Sequence, residues 1–242
     1  MPALEILEII GPADQGKSKP YLCRADDDQL YYVKRHNASS SARCREWVAG
    51  HLANAFGLPI PPFCLVKISQ QLLDETPDQW KNIGTGAAFA SLKQSGHQWF
   101  EFGFVDAVED NLRKDISVFD WWVKNQDREA NNTNLLWDAT IASLLVIDFD
   151  SAFDPNFFPT FFLNYHLFHK DWAAVSADHV MRSDYEARLI HAKTALLDAC
   201  NNLPLEWLKE NRQESLDGEF TIASTKEAID RCLNQEMLWK TE

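Results

Sequence analysis

Residues Phe119 to Asp150 read FDWWVKNQDREANNTNLLWDATIASLLVIDFD, and the spacing of three polar side chains within them decides how the chain is read. Asp127 is followed at the fifth position by Asn132, and Asp148 comes after a further stretch with strand character. Asn134 to Trp137 reads as one strand, Asp138-Ala139-Thr140 as a turn, and Ala142 to Ile147 as an apolar second strand. A β-hairpin of that length folds the chain back and brings Asn132 and Asp148 toward one rim. There they would supply the hard oxygen ligands that Mg²⁺ prefers, while Asp127, in the loop before the hairpin, would lie within reach of a substrate hydroxyl. Polar loops beside buried hairpins share the Asp/Asn composition. The full set is much rarer: Asp-Arg, Asn at the fifth position, an apolar hairpin, then Ile-Asp at its far end.

Working upstream, Asp115 is a plausible N-cap for a helix through Lys124 that buries Ile116, Phe119, Val123 and one or both of Trp121 and Trp122 and delivers the loop. Leu30 to Lys34, LYYVK, alternates as a strand and presents Lys34 at its end. A phosphoryl-transfer site of this kind needs a strand lysine on the α- and β-phosphates and a helix glutamate that holds the lysine. Ser41 to Phe56 has helical composition, closed by Gly57 with Pro59 beyond it, and Glu46 near its apolar face is the candidate partner. Surface charges are the ordinary reading of such residues, but the order Lys34, Glu46, Asp127, Asn132, Asp148 along the chain is the kinase order.

The segments NQDREANNTNLL and VIDFDSAF resemble the HipA-like kinases, which are related in turn to the phosphoinositide lipid kinases. The resemblance runs through the whole chain. YYVKRH is similar to the family's nucleotide-lysine strand, CREWVAGHLANAFGLPIPP to its glutamate helix and following turn, and DHVM with LPLEWL to its C-terminal helical region. It fits the short, single-domain branch. Two departures stand out: Glu129 where relatives often carry histidine or threonine, and Phe149-Asp150 where histidine-glycine is frequent. Asp150 would add a third metal ligand or slow turnover.

The resemblance implies an α+β, two-lobed protein-kinase-like fold, with a small N-terminal β-sheet lobe, residues 1–92, that binds nucleotide and a mainly helical catalytic lobe, residues 93–242. It implies ATP and Mg²⁺ as cofactors and a protein serine or threonine as acceptor; the residues alone fit a small-molecule or lipid hydroxyl equally well. A nucleotide-binding pseudokinase, an interaction module and an AMP-transferring enzyme on the same fold remain alternatives. The turn Gly11 to Pro20, GPADQGKSKP, would cover the phosphates with Gly16, Lys17 and Ser18, although it has no triple-glycine pattern. Members of the family are inhibited by phosphorylation of a serine in the corresponding loop, which makes Ser18 a candidate regulatory site.

Length and composition fit this reading. The 242 residues, 45% of them hydrophobic, suit one large domain or two lobes with a substantial core. No apolar run is long enough for a membrane span and the start lacks a secretory pattern, so a soluble cytoplasmic protein is expected. Five cysteines without a Cys-x-x-Cys pair read as reduced, mostly buried thiols. A formal charge of −13 without a basic cluster disfavours direct binding to nucleic acid or anionic membrane. The oligomeric state is not legible.

Elsewhere, Ala3 to Ile10, Tyr21 to Arg24 and Phe63 to Ile68 read as strands, and Ser69 to Gly84 as loop with a short helix. Ala87 to Leu92 reads as the strand carrying the hinge, whose backbone would meet adenine. The aromatic stretch after Asp148 reads as core beneath a loop, near where a kinase faces its protein substrate. His166, His169 and Asp171 invite a metal reading, but lone histidines are more often structural. Ser183-x-x-Glu186 and Ser224-x-x-Glu227 are capping-box patterns opening helices Asp184 to Asn201 and Thr225 to Trp239, and Pro204 suits the first turn of a helix through Arg212.

Overall fold

Tyr21, Cys23 and Ala25 on one strand, and Tyr31 and Val33 on the next, are buried while the residues between them are not, which is the period of a sheet with one face in a core. In the computed structural model, which describes residues 3–13, 19–36, 38–213 and 220–241, these belong to β2 (Tyr21–Ala25) and β3 (Leu30–Lys34), preceded by β1 (Leu4–Pro12). After β3 come α1 (Ser40–Phe56), β4 (Phe63–Ile68), α2 (Gln70–Glu75), a 3₁₀ turn (Asp78–Ile83) and β5 (Gly86–Leu92). Gly16, Lys17 and Ser18 lie outside the described residues.

The strands close into a barrel in the order β1-β2-β3-β5-β4. All the pairings are antiparallel except β1 with β4, where Leu4 and Glu5 pair in parallel with Val66 and Lys67 and complete the ring. Ile6, Ile9, Tyr21, Cys23, Tyr31, Val33, Val66, Ile68, Ala88 and Ala90 pack in one core cluster. Alanines on β5 suit an interior already filled by tyrosines and β-branched residues. Burial pushes the Cys23 thiol up to about 12, as befits an inert core thiol. β5 is paired along both edges, Phe89–Leu92 with β3 and Gly86–Ser91 with β4. From Phe89 to Ser91 the backbone that the sequence offered to adenine is therefore engaged in the sheet on both edges.

Downstream lie β6 (Gln98–Trp99), α3 (Asp110–Trp122), β7 (Leu135–Asp138), β8 (Ser143–Val146), α4 (Pro159–Tyr165), α5 (His169–Ala177), α6 (His179–Lys193), α7 (Leu196–Asn201), α8 (Leu205–Gln213), α9 (Ile222–Asp230) and α10 (Gln235–Leu238). Contacts divide the chain into two units. One comprises residues 1–44, 61–95 and 203–219, hence the barrel and α8; the other comprises 45–60, 96–202 and 220–242. α1 runs through both assignments and ends at Gly57, whose φ of +94° lets the amides of Gly57 and Leu58 both bond the Ala53 carbonyl.

The second unit is built on aromatic residues. Trp121 and Trp122 are both fully buried, and each indole N–H is satisfied by a distant carbonyl, Leu238 at 2.5 Å and Ile229 at 3.0 Å. Trp121 also packs against Phe157, Phe162 and Trp172. Three helix starts differ from expectation. α3 begins at Asp110, and Asp115 sits inside it, held by Arg188 at 2.6 Å and Tyr185 at 2.8 Å. α6 is capped by Asp178, whose carboxylate accepts two backbone N–H groups, and Glu186 instead receives the Trp239 indole at 2.7 Å. α9 is capped by Thr221, and the chain breaks again at the Asn234 cap of α10. In both cases the cap lies upstream of the Ser-x-x-Glu pattern, which leaves Ser183 and Ser224 inside their helices. Among the described residues, no helix is long and apolar enough to cross a membrane.

Candidate active site

α3 ends in a reversal that aims the chain into the loop. Lys124 takes φ +55°, and the amides of Lys124 and Asn125 bond back to the carbonyls of Trp121 and Asp120 at 3.3 and 2.8 Å. This is the Schellman arrangement with lysine in the place usually held by glycine. Asn125 is buried and donates to the Asp120 carboxylate at 2.9 Å. The loop therefore starts from a fixed point.

Two asparagine side chains then converge on one carbonyl. Asn132 Nδ2 donates to the Asp127 oxygen at 3.2 Å and Asn134 Nδ2 to the same oxygen at 2.7 Å. An amide whose NH₂ is engaged this way presents its oxygen as the remaining ligand atom. Backbone bonds of 3.0 and 3.1 Å between Glu129 and Asn132 close the turn in between.

Arg128 holds the loop from beneath. Its guanidinium is fully buried, donates to Asp120 at 2.7 Å, and reaches the carbonyls of Asn134 at 2.6 Å and Ile147 at 3.4 Å. One side chain thus ties the loop to both strands of the hairpin. The expected hairpin is present: β7 and β8 pair in register from Leu135 with Val146 to Asp138 with Ser143, and the Ile147 amide bonds the Asn134 carbonyl at 3.1 Å. Asp148 follows directly with φ +63°, a conformation that aspartate and asparagine adopt more readily than other non-glycine residues. Phe149 is buried next to it, edge-on to Phe119 and 5.7 Å from the Arg128 guanidinium.

Glu46, Asp148 and Asp150 come together, with one carboxylate oxygen from each all within 4.8 Å of one another. This is the only such group of potential metal ligands among the described residues. Three carboxylates this close repel, and a hard divalent cation relieves that repulsion with the donor atoms it prefers. Lys34, at 7% exposure, and Glu46, at 5%, are not solvated surface charges. Burial at that level requires compensation for a charged group. Lys34 ends β3 in the barrel unit; Asp127, Asn132 and Asp148 belong to the other unit with Glu46.

The His166, His169, Asp171 trio is not a metal site. His166 Nε2 meets the Asp120 carboxylate at 3.1 Å, His169 Nδ1 meets the His166 carbonyl at 2.9 Å, and Asp171 pairs with Arg113 at 3.1 Å. The Phe168 amide donates to His166 Nδ1 at 3.2 Å, which assigns the ring proton to Nε2, facing Asp120. Burial lowers the His166 pKa and keeps the ring neutral. At Asp120, burial pushes the carboxyl up, but Arg128 and His166 outweigh it and hold the group below the usual range.

Sequence reasoning passed over this buried cluster of Asp120, Arg128 and His166. The signal was present. Ile116 to Val123 is apolar on every side of the helix, so the acid within it has no solvated face to point to.

The segment after Asp148 is pinned along the loop. The Phe158 amide donates to Gln126 Oε1 at 3.0 Å, and the Leu167 amide to the Arg128 carbonyl at 2.8 Å. Phe162 points inward and stacks on His166 at 4.2 Å, whereas Phe158 and Tyr165 point outward at 60% and 59% exposure.

Comparison with known proteins agrees with this architecture. A family model described as HipA-like kinase matches residues 6–242. The crystal structure of the Helicobacter pylori proinflammatory kinase CtkA superposes with a TM-score of 0.50 at 13% identity, over 95% of this chain and 98% of that one. The Golgi casein kinase superposes with a TM-score of 0.50 at 11% identity, over 98% of this chain and 71% of that one. At such identities the likeness is one of fold: a protein-kinase-like fold, with an N-terminal sheet followed by a mainly helical region. No curated protein matches the chain.

Proposed function

The chain belongs to the HipA-like kinase family, and on that premise we propose that it transfers the γ-phosphoryl group of ATP to a serine or threonine hydroxyl of a protein. The observation that carries the reading is the braced loop and hairpin, which hold Asp127, Asn132 and Asp148 on one framework and gather Glu46 and Asp150 around Asp148. Asp127 positions the acceptor hydroxyl and takes its proton as the new O–P bond forms and the bond from the γ-phosphorus to ADP breaks. Lys34 binds the α- and β-phosphates, and Glu46 belongs to the acidic group with Asp148 and Asp150. Asn132 and Asp148 would hold Mg²⁺, with Asp150 as a further carboxylate, and the chemistry supplied there would be neutralisation of phosphate charge. A protein acceptor is favoured by Phe158, an exposed aromatic residue whose amide is fastened to Gln126, the residue before Asp127.

Incubation with ATP, Mg²⁺ and a hydroxyl-bearing protein acceptor, followed by mass analysis, is expected to show a phosphate adduct. An AMP adduct would reassign the chemistry, and no adduct on any acceptor would reduce the fold to a binding module. Asp127→Ala is expected to lower turnover on the order of 10² while leaving ATP affinity near wild type, because the acceptor-side carboxylate makes little contact with ground-state ATP. Loss of ATP binding with an unchanged rate for the bound fraction would reassign Asp127.

A further inference from the structure

α8 belongs to the barrel unit although residues 96–202 of the other unit precede it in the chain. Charge and hydrogen bonds attach it there. Glu210 receives Arg35 through both Nη atoms, at 2.8 and 2.7 Å, and Arg43 through Nη2 at 2.7 Å. Both arginine side chains are buried, and Glu210 is 28% exposed. Arg35 also donates to the Thr85 carbonyl at 3.0 Å and Arg43 to the Ser39 carbonyl at 3.3 Å. The same face of α8 continues the grip. Glu206 accepts the Ala87 amide, the Trp207 indole donates to the Ala87 carbonyl at 2.8 Å, and Asn211 accepts the Ser41 hydroxyl. The Arg43 guanidinium lies 5.3 Å from the centre of the Trp207 ring.

The positions of the two arginines matter. Arg35 directly follows Lys34 at the end of β3, and Arg43 precedes Glu46 by three residues, one turn of α1. We infer that Glu210 is a positioning residue: by binding Arg35 and Arg43 together it fixes the end of β3, which carries Lys34, against the first turns of α1, which carries Glu46. The inference rests on the roles proposed above for Lys34 and Glu46. α8 thereby sets how the end of β3 lies against the first turn of α1.

The clamp persists over a wide pH range. Burial raises the Glu210 carboxyl, but Arg35 and Arg43 outweigh it and bring its pKa down to about 2. His36 Nε2, 3.8 Å from Glu210, and Glu206, 3.8 Å from Arg35, also face the cluster. A depressed carboxylate contributes its stability above its ordinary value near 4.5 and loses it as the pH falls toward 2.

The test uses the full chain, with Glu210→Gln and Glu210→Asp compared at a temperature where all the proteins are folded. Glu210→Gln is expected to weaken ATP binding about tenfold or more, and to speed amide hydrogen exchange between Lys34 and Glu46. Glu210→Asp, which keeps the charge, is expected to recover most of the affinity. Unchanged ATP affinity in the folded Glu210→Gln protein, or unchanged exchange over that segment, would overturn the inference and leave Glu210 a stabilising contact only. If the wild type binds no ATP, the kinase reading fails and the ATP role of Glu210 fails with it. In that case exchange still decides whether the carboxylate ties the two elements.

Discussion

Asp148→Asn is expected to abolish turnover, by roughly 10³ or more, while the protein stays folded. Asparagine has the same size and tolerates the φ of +63° that Asp148 adopts, so the backbone after the hairpin keeps its course. Alanine would add strain there and blur the result. What changes is charge. A neutral amide is a much poorer ligand for a hard cation, and the group of Glu46, Asp148 and Asp150 loses one of its three negative charges. ATP binding in the presence of Mg²⁺ should weaken together with turnover. Relief of repulsion among the carboxylates should leave the melting temperature level or raise it slightly. Full activity in this variant would discard the proposed metal role of Asp148.

The parts of the molecule that were legible in sequence are those where the physics is local. The β7–β8 hairpin was readable because a turn at Asp138 to Thr140 separates two short strand patterns, and α1 because Gly57 and Pro59 mark its end. The α3 start was misread because Asp115 resembles a cap until its tertiary partners, Arg188 and Tyr185, are known. Barrel closure depends on the parallel pairing of β1 with β4, for which strand periodicity holds no signal.

Long-range charge was the least legible. Glu210 is an ordinary helical glutamate in sequence, and only the fold brings Arg35 and Arg43 to it. Glu46 was read as a lysine partner, and its proximity to Asp148 and Asp150 follows from how α1 lies in the second unit. Residue type and order pointed to the candidate site; which carboxylates neighbour one another did not follow from them.

Asp120→Ala is expected to cost about 3 to 5 kcal/mol of stability, the loss typical when one partner of a buried ion pair is removed. Against a total of roughly 5 to 15 kcal/mol for a folded domain, that is a large share. Asp120 accepts from Asn125 Nδ2, Arg128 Nε and Nη2, and His166 Nε2, all in a site closed to solvent. Alanine leaves a fully buried guanidinium without its counter-charge. Asparagine is little better, because its NH₂ would face donors where the carboxylate offers acceptors. The damage should reach the site, since the same Arg128 holds the carbonyls of Asn134 and Ile147 on either side of the hairpin. The wild type should also lose stability as the pH drops below the ordinary histidine value of 6.5. The unfolded chain then takes up a proton that the buried His166 ring resists, and Asp120, held below its usual range, adds to the loss at lower pH still. Urea denaturation of both variants at neutral pH, and of the wild type between pH 8 and pH 5, measures each effect. A variant within about 1 kcal/mol of wild type would show that the Asp120 cluster does not hold the loop.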